Sequence, residues 1–345
     1  MLYPWQYTHW QALTDQLERL PHALLITGEA GIGKLAFARH LAQSLLCEAG
    51  DIPARPCGLC DACRWYLAGN HPDFRELAPA GDEEGDEEDS KAKKKASVHI
   101  TIDQVRELND FVNLSAHRGG RRVTLVQPAE ALNAAAANAL LKTLEEPPAG
   151  AVFVLVSHQW RRLLPTIRSR CRRLPLPLPD GETALAWLAQ SGLAQAQEHL
   201  AEAGGAPLAA LDRADASLLA ARRAFVDQLA EPRRLDPLTL AEQLDRQKIE
   251  LARVSDWLAR WVYDLARLGL AQSIRYHPND MVRLASLAEG IEPVRLMRYH
   301  DAILAAKKLA FHPLNARLVF EQLLFGYQQA VRQVASEPLN KSLAS

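Results

Sequence analysis

Four of the five cysteines crowd into one stretch, Cys47-x9-Cys57-x2-Cys60-x2-Cys63. Four thiolates at this spacing can surround Zn²⁺ as a tetrahedron, and the glycine in "CGLC" lets the chain turn tightly around the ion. An iron–sulfur cluster competes, because C-x2-C-x2-C also opens the bacterial ferredoxin pattern, which continues with x3-C-P. Here the run from Cys63 reads "CRWYLAG" instead. If all four cysteines bind, no coordination position stays open and the metal is structural.

A second constellation is "GEAGIGKLAF", residues 28–37. Gly28, Gly33 and Lys34 fall at the spacing of G-x-x-x-x-G-K-[ST], but position 35 is Leu where the pattern needs a hydroxyl for Mg²⁺. Backbone N–H groups of Gly31 to Lys34 at a helix N-terminus can cradle phosphates, with Lys34 reaching the β and γ oxygens. The second metal anchor should be an acid at the end of a later strand. After "VTLV" the chain gives Gln127 and Pro128, and Glu130 comes too late. Phosphoryl transfer therefore lacks its metal and water-orienting groups. Nucleotide binding without turnover and a turn kept only for the fold both remain open.

The third cluster, "RRLLPTIRSRCRR" (161–173), carries six arginines around an expected strand-to-helix corner. Most exposed arginines are solvated surface. An arginine at a domain edge can instead complete a neighbour's active site, stabilising transferred-phosphate charge in trans.

These groups need a scaffold. "HALLITG" (22–28) is a buried-strand candidate running into the glycine loop, and "KLAFARHLAQSLLC" (34–47) puts Phe37, Leu41 and Leu45 on one helical face. "RRVTLVQP" (121–128) and "AVFVLVS" (151–157) read as strands buried on both faces, with the helix "AEALNAAAANALLKTLEE" between them, stopped by Pro147 and Pro148. The spacing predicts a parallel sheet covered by helices, an α/β fold. Thr101 with Gln104, or Asp103 itself, caps a helix carrying Val105, Leu108 and Val112.

"GDEEGDEEDSKAKKKAS" (81–97) has no apolar anchor to offset its ordering entropy, which predicts a disordered loop. "LPLPLPD" (174–180) reads as an extended linker, and from Glu182 onward the pattern is all helix, broken near Gly204-Gly205, Pro232, His277-Pro278 and Pro293. A chain of 345 residues predicts two or three domains. A formal net charge of −1 argues against a uniformly basic nucleic-acid binder, so DNA contact would be local or shared with partners. No apolar stretch is long enough for a bilayer, and "MLYPWQYTHW" lacks signal-peptide features, so a cytosolic protein without membrane contact is expected. The clustered cysteines fit a reducing compartment.

With "GEAGIGKL", "CGLCDAC" and Cys47 before it, "NHPDF" (70–74), "AAANALLKTLEEPP" (135–148) and "RSRC" (168–171), the chain resembles the delta-prime subunits of the bacterial DNA polymerase III clamp loader. The resemblance covers the first 175 residues well, and the helical remainder matches in length and class. It implies an AAA+ RecA-like P-loop domain over 1–178 with a zinc module at 47–63, a small helical lid over 179–219, and an all-α collar over 220–340 that joins a pentameric ring. Ser169, Arg170 and Cys171 match the family's arginine-finger motif, with Arg170 the finger. Active relatives carry a lid arginine near a G-S-x-R segment; "GGAPLAAL" (204–211) has Pro207 there, which weakens the case for ATP binding. The 81–97 insertion departs from the family pattern and receives no role. Implied partners are the gamma/tau ATPase subunits and the delta subunit and, through the complex, the beta sliding clamp and primed DNA, in a nucleoid-associated replisome.

Three functions compete. The leading expectation is a non-catalytic subunit of the polymerase holoenzyme that helps load the clamp and donates Arg170 to an adjacent ATPase. Gly28, Gly33 and Lys34 motivate an autonomous AAA+ ATPase. Arg55, Arg64 and the zinc loop motivate a nucleic-acid-reading zinc module, weakly, because basic residues are few and Trp65 and Tyr66 are the only stacking aromatics there.

Overall fold

Runs such as "ALLIT" and "AVFVLVS" offer no polar face to water, so they make strands covered on both sides. A computed structural model describes residues 2–50, 55–79, 99–114, 120–212, 214–308 and 315–332; the charged stretch 81–97 lies outside the described residues. The chain forms two units, one of residues 1–192 with 205–209, the other of 193–204 and the chain from 210 onward.

In chain order the first unit holds α1 (Tyr7–Thr14), β1 (Ala23–Thr27), α2 (Lys34–Leu46), α3 (Asp61–Leu67), β2 (Phe74–Leu77), α4 (Ile102–Asn113) and β3 (Arg122–Val126). It continues with α5 (Ala134–Glu145), β4 (Ala151–Ser157), α6 (Pro165–Arg170), β5 (Arg172–Pro175) and α7 (Gly181–Gln190). After α8 (Ala196–Glu202), which belongs to the second unit, the opening turn of α9 (Pro207–Asp212) returns to the first.

The sheet order is β2-β3-β4-β1-β5, and every pairing is parallel. All residues of β1, β3 and β4 are buried, as their unbroken apolar runs require. Phe37, Leu41 and Leu45 are buried on α2 as expected. Thr101 caps α4 in a full capping box: its side chain accepts from Gln104 N–H, and Gln104 Oε1 accepts from Thr101 N–H at 2.9 Å. Together these elements make an α/β fold built on an all-parallel five-stranded sheet.

One local expectation is reversed. Residues 161–173 form a helix that leads into a strand, α6 into β5, where a strand-to-helix corner was predicted. Pro165 opens α6 at a position where its missing N–H costs nothing, and Arg168 and Arg170 close it at the negative end of its dipole. The short edge strands β2 and β5 were also not anticipated. Each is only four residues long and two of the four are charged, so neither shows an apolar run.

The second unit adds α10 (Ala216–Ala230), α11 (Pro237–Arg246), α12 (Leu251–Ala271), α13 (Met281–Ala288), α14 (Pro293–Lys308) and α15 (Ala316–Ala330). Its core gathers on α12, where Trp257, Leu258, Trp261, Val262 and Leu265 recur at helical spacing. Trp261 Nε1 donates to Tyr327 Oη at 2.8 Å, and that hydroxyl donates to Leu229 O at 2.7 Å, so α10, α12 and α15 share one buried polar chain. Asp264, fully buried, accepts from the backbone N–H groups of Arg275, Tyr276 and His277, each at 2.9 Å, and pairs with His277 Nδ1 at 3.0 Å. Among the described residues no helix is long and apolar enough to cross a membrane.

Candidate functional site

The sheet carries the phosphate-type loop at the C-terminal end of β1. Gly28 follows the strand directly, and Gly33, with φ 82°, N-caps α2. Gly31 has φ 78°, and a Cβ there would collide with Ala209 at the start of α9. Leu208 N–H donates to Gly31 O at 3.0 Å. The flank of Gly33 is filled by Tyr3 and Gln6. Gln6 Nε2 donates to Ile32 O at 3.1 Å and Gly33 O at 2.9 Å, and Trp5 Nε1 donates to Ile32 O at 3.0 Å. Tyr3 and Trp5 stack at 5.0 Å, each meeting Trp187 of α7 edge-on at 5.5 Å. The glycines are thus needed by contacts within the chain itself.

Lys34 is 2% exposed and its Nζ donates to Glu29 O within the same loop. Burial lowers its pKa to about 8, against the opposing charges of Glu130 and Glu29. Glu130 therefore reaches the lysine's neighbourhood, which its late sequence position did not suggest. Its Oε1 accepts from the N–H groups of His158 and Gln159 at 2.8 and 3.1 Å. The pKa of His158 is lowered by burial first and by Lys34 second, with Glu130 opposing. Gln127, where a metal-binding acid would stand, donates Nε2 to Glu76 Oε1 at 3.2 Å, and Arg39 pairs with the same carboxylate through two nitrogens at 2.7 and 3.1 Å.

Ser169, Arg170 and Cys171 lie elsewhere. Cys171 is buried in the core that includes Leu140, Leu144, Leu163 and Ile167, and burial raises its thiol pKa to about 11. It anchors the segment as an apolar side chain. Ser169 Oγ donates to Thr166 O at 3.0 Å. Arg170 reaches the surface, where Nη1 donates to Thr166 O at 2.9 Å and Nη2 pairs with Glu145. Arg172, two residues on, pairs with Leu24 near the start of β1. Gly28 comes four residues later, just past the end of that strand, about 13 Å away at 3.3 Å per residue. The loop and the arginine thus sit toward opposite ends of the sheet. Beside them Arg161, Arg168 and Arg173 place their guanidinium carbons 5.2, 5.5 and 4.7 Å from the Trp160 ring.

The cysteines come together as the spacing predicts. One sulfur from each of Cys47, Cys57, Cys60 and Cys63 lies within 4.8 Å of every other, a cluster able to hold a metal ion. Cys47 ends α2 and Cys60 caps α3, so two helix ends set the site. Backbone N–H groups of Cys57, Cys60 and Cys63 point at the sulfurs of Cys47, Cys57 and Cys60, each at 3.4 Å. Two such donors, from Cys60 and Leu59, lower the Cys57 thiol to about 6, whereas burial pushes Cys63 up to about 12. The aromatics of the module are engaged in packing: Tyr66 meets Phe74 at 4.8 Å and donates to Arg39 O at 3.0 Å, and Trp65 meets His71 edge-on at 6.1 Å.

A protein-family model described as "DNA polymerase III, delta subunit" matches residues 5–180. The DNA polymerase III subunit delta' of Pseudomonas aeruginosa is 36% identical over 338 residues, covering 94% of this chain and 96% of its own. The subunit of the same name from Escherichia coli is 35% identical over 303 residues, covering 85% of each chain. The DNA polymerase III subunit tau of Escherichia coli is 29% identical over 341 residues, covering 89% of this chain and 50% of its own.

Proposed function

Since the chain belongs to the DNA polymerase III delta-prime subunit family, we propose that it works as a non-catalytic member of the clamp loader ring and presents Arg170 to ATP held by a neighbouring subunit. In this reading residues 1–178 are the AAA+ domain, 179–219 its lid and 220–340 the collar through which it assembles with gamma/tau and delta subunits to place the sliding clamp on primed DNA. One observation carries it: Arg170 reaches the surface toward the opposite end of the sheet from the chain's own loop. An arginine so placed serves a site other than its own.

The state of the loop agrees. Gly31 and Gly33 are flanked by Ala209 and Tyr3, Lys34 bonds within the loop, Leu35 cannot bind Mg²⁺, and Gln127 is committed to Glu76. A Mg²⁺-binding hydroxyl at position 35 and an acid at position 127 are lacking, so this chain turns over no ATP alone.

The four-sulfur cluster fits Zn²⁺. Cys47 and Cys60 sulfurs lie 3.9 Å apart, against about 3.8 Å for the edge of a tetrahedron with Zn–S bonds of about 2.3 Å. A divalent cation would hold the four thiols as thiolates, including those that burial otherwise protonates. With four protein ligands the ion would clamp the end of α2 to α3 and supply no chemistry.

The test reconstitutes the ring with Arg170→Ala or Lys34→Ala in this subunit and measures clamp- and DNA-stimulated ATP hydrolysis. A trans arginine contributes about 10³ to 10⁵ in rate in well-studied GTPases. The ring should lose less, because only one of its sites borrows this arginine. Arg170→Ala is expected to depress stimulated turnover and Lys34→Ala to change it little. The opposite pattern overturns the reading.

A further inference from the structure

We propose that Glu145 is a latch on Arg170, holding the guanidinium within its own subunit until a phosphate group in the neighbouring site displaces the carboxylate. This rests on the donor reading above and adds a positioning residue to it. The pair joins the last residue of α5 to the last residue of α6. Arg170 Nη1 is held by its own helix, through Thr166 O at 2.9 Å and Ser169 Oγ at 3.4 Å. Nη2 goes to Glu145, a charged acceptor of the same sign as the phosphate oxygens it would yield to.

Two features make this contact a latch and not a permanent brace. The side chains are 32% and 48% exposed, so water screens the pair and its hold is weak. A fully buried pair would not release the arginine without leaving a charge stranded. The helix end that bears the carboxylate is also tied down. Thr143 Oγ1 donates to Asn109 Oδ1 at 2.7 Å and Leu144 O lies 3.0 Å from His22 Nε2, which tie the end of α5 to α4 and to the approach to β1. Cys171 roots the other partner in the core. When a phosphate takes the guanidinium the pair must break. The phosphate, with more charge than a carboxylate and oxygens arranged for bidentate bonding, wins only once the neighbouring site is close enough to offer it.

Glu145→Gln removes the charge and keeps the shape. In the ring reconstituted with full-length subunits, ATP hydrolysis is read with and without clamp and primed DNA. The expected result is a two- to fivefold higher unstimulated rate, about the range an exposed ion pair supports, and a correspondingly smaller stimulation ratio. Glu145→Ala should act in the same direction and Glu145→Asp should restore most of the wild-type ratio. In an Arg170→Ala background Glu145→Gln should add nothing, an epistasis that a merely structural role would not produce. If Arg170→Ala lowers turnover while Glu145→Gln leaves the unstimulated rate where it was, or lowers both rates, the latch is overturned and the donor reading stands. If Arg170→Ala itself has no effect, the donor reading falls and takes the latch with it.

Discussion

Leu208 donates its backbone N–H to the carbonyl of Gly31 at 3.0 Å, so the turn that opens α9 is hydrogen-bonded to the middle of the glycine loop. A nucleotide-binding loop normally keeps its glycines bare so that phosphates can approach. Here Ala209 lies where a Gly31 side chain would go.

Gly31→Ala should therefore destabilise the chain whether or not nucleotide is present. The left-handed backbone costs about 1 kcal/mol for a non-glycine residue, and the collision with Ala209 adds overpacking on the order of 1–3 kcal/mol. Equilibrium denaturation of the full chain measures the loss. In parallel, ATP with Mg²⁺ should leave the wild-type unfolding midpoint in place, since only a ligand bound to the native state raises it. A midpoint that climbs with ATP concentration contradicts the packed loop.

Lys34 gives a pH signature. Its pKa is lowered from 10.5 to about 8 by burial. Between those values the unfolded chain binds the extra proton, so stability rises with pH through that window. Below about pH 8 both states are charged and the burial cost is constant. Comparing wild type with Lys34→Met at pH 7 and pH 9.5, the wild type should gain on the order of 1 kcal/mol relative to the variant, after discount for solvent screening. Parallel stability curves for the two proteins would remove the assignment.

Cys60→Ser should release the metal and loosen the segment from Cys47 to Cys63, because a structural site supplies folding free energy directly. Elemental analysis of the purified wild type should find one zinc per chain, and the variant none, with a lower unfolding midpoint. Iron in the wild type would replace zinc by a cluster.

Asp73, in the "NHPDF" stretch, pairs with Arg122 at 3.0 Å, both side chains less than a tenth exposed. Arg122 also donates to the carbonyls of Phe111 and Leu114. Asp73→Ala leaves a buried cation with only neutral acceptors from this set and should cost about 3 kcal/mol, the low end for breaking a buried pair. Replacing both, as Asp73→Leu with Arg122→Met, should recover much of that loss in the same unfolding measurement.

Much of this was legible because it rests on short-range pattern. Unbroken apolar runs mark β1, β3 and β4, cysteine spacing marks the four-sulfur cluster, and Thr101 with Gln104 marks a cap. What was missed depends on groups far apart in the chain. Gln6 bonds to Gly33 across 27 positions, and Glu130 comes near Lys34 because β3 and β1 both flank β4 in the sheet. The edge strand β5 was hidden for another reason. Its arginines read as a charge cluster, and only pairing with β1 makes it a strand.

Asp264 has a consequence for the dynamics of the helical unit. The segment from Arg275 to His277 is a connection between α12 and α13, the kind of backbone whose amides usually trade protons with solvent quickly. Three consecutive N–H groups there end on one fully buried carboxylate. Their hydrogens can leave only when that carboxylate lets go, an opening that would strand a charge inside the protein. In deuterated water these three loop amides should therefore exchange as slowly as the interior of α12, making the turn part of the cooperative core.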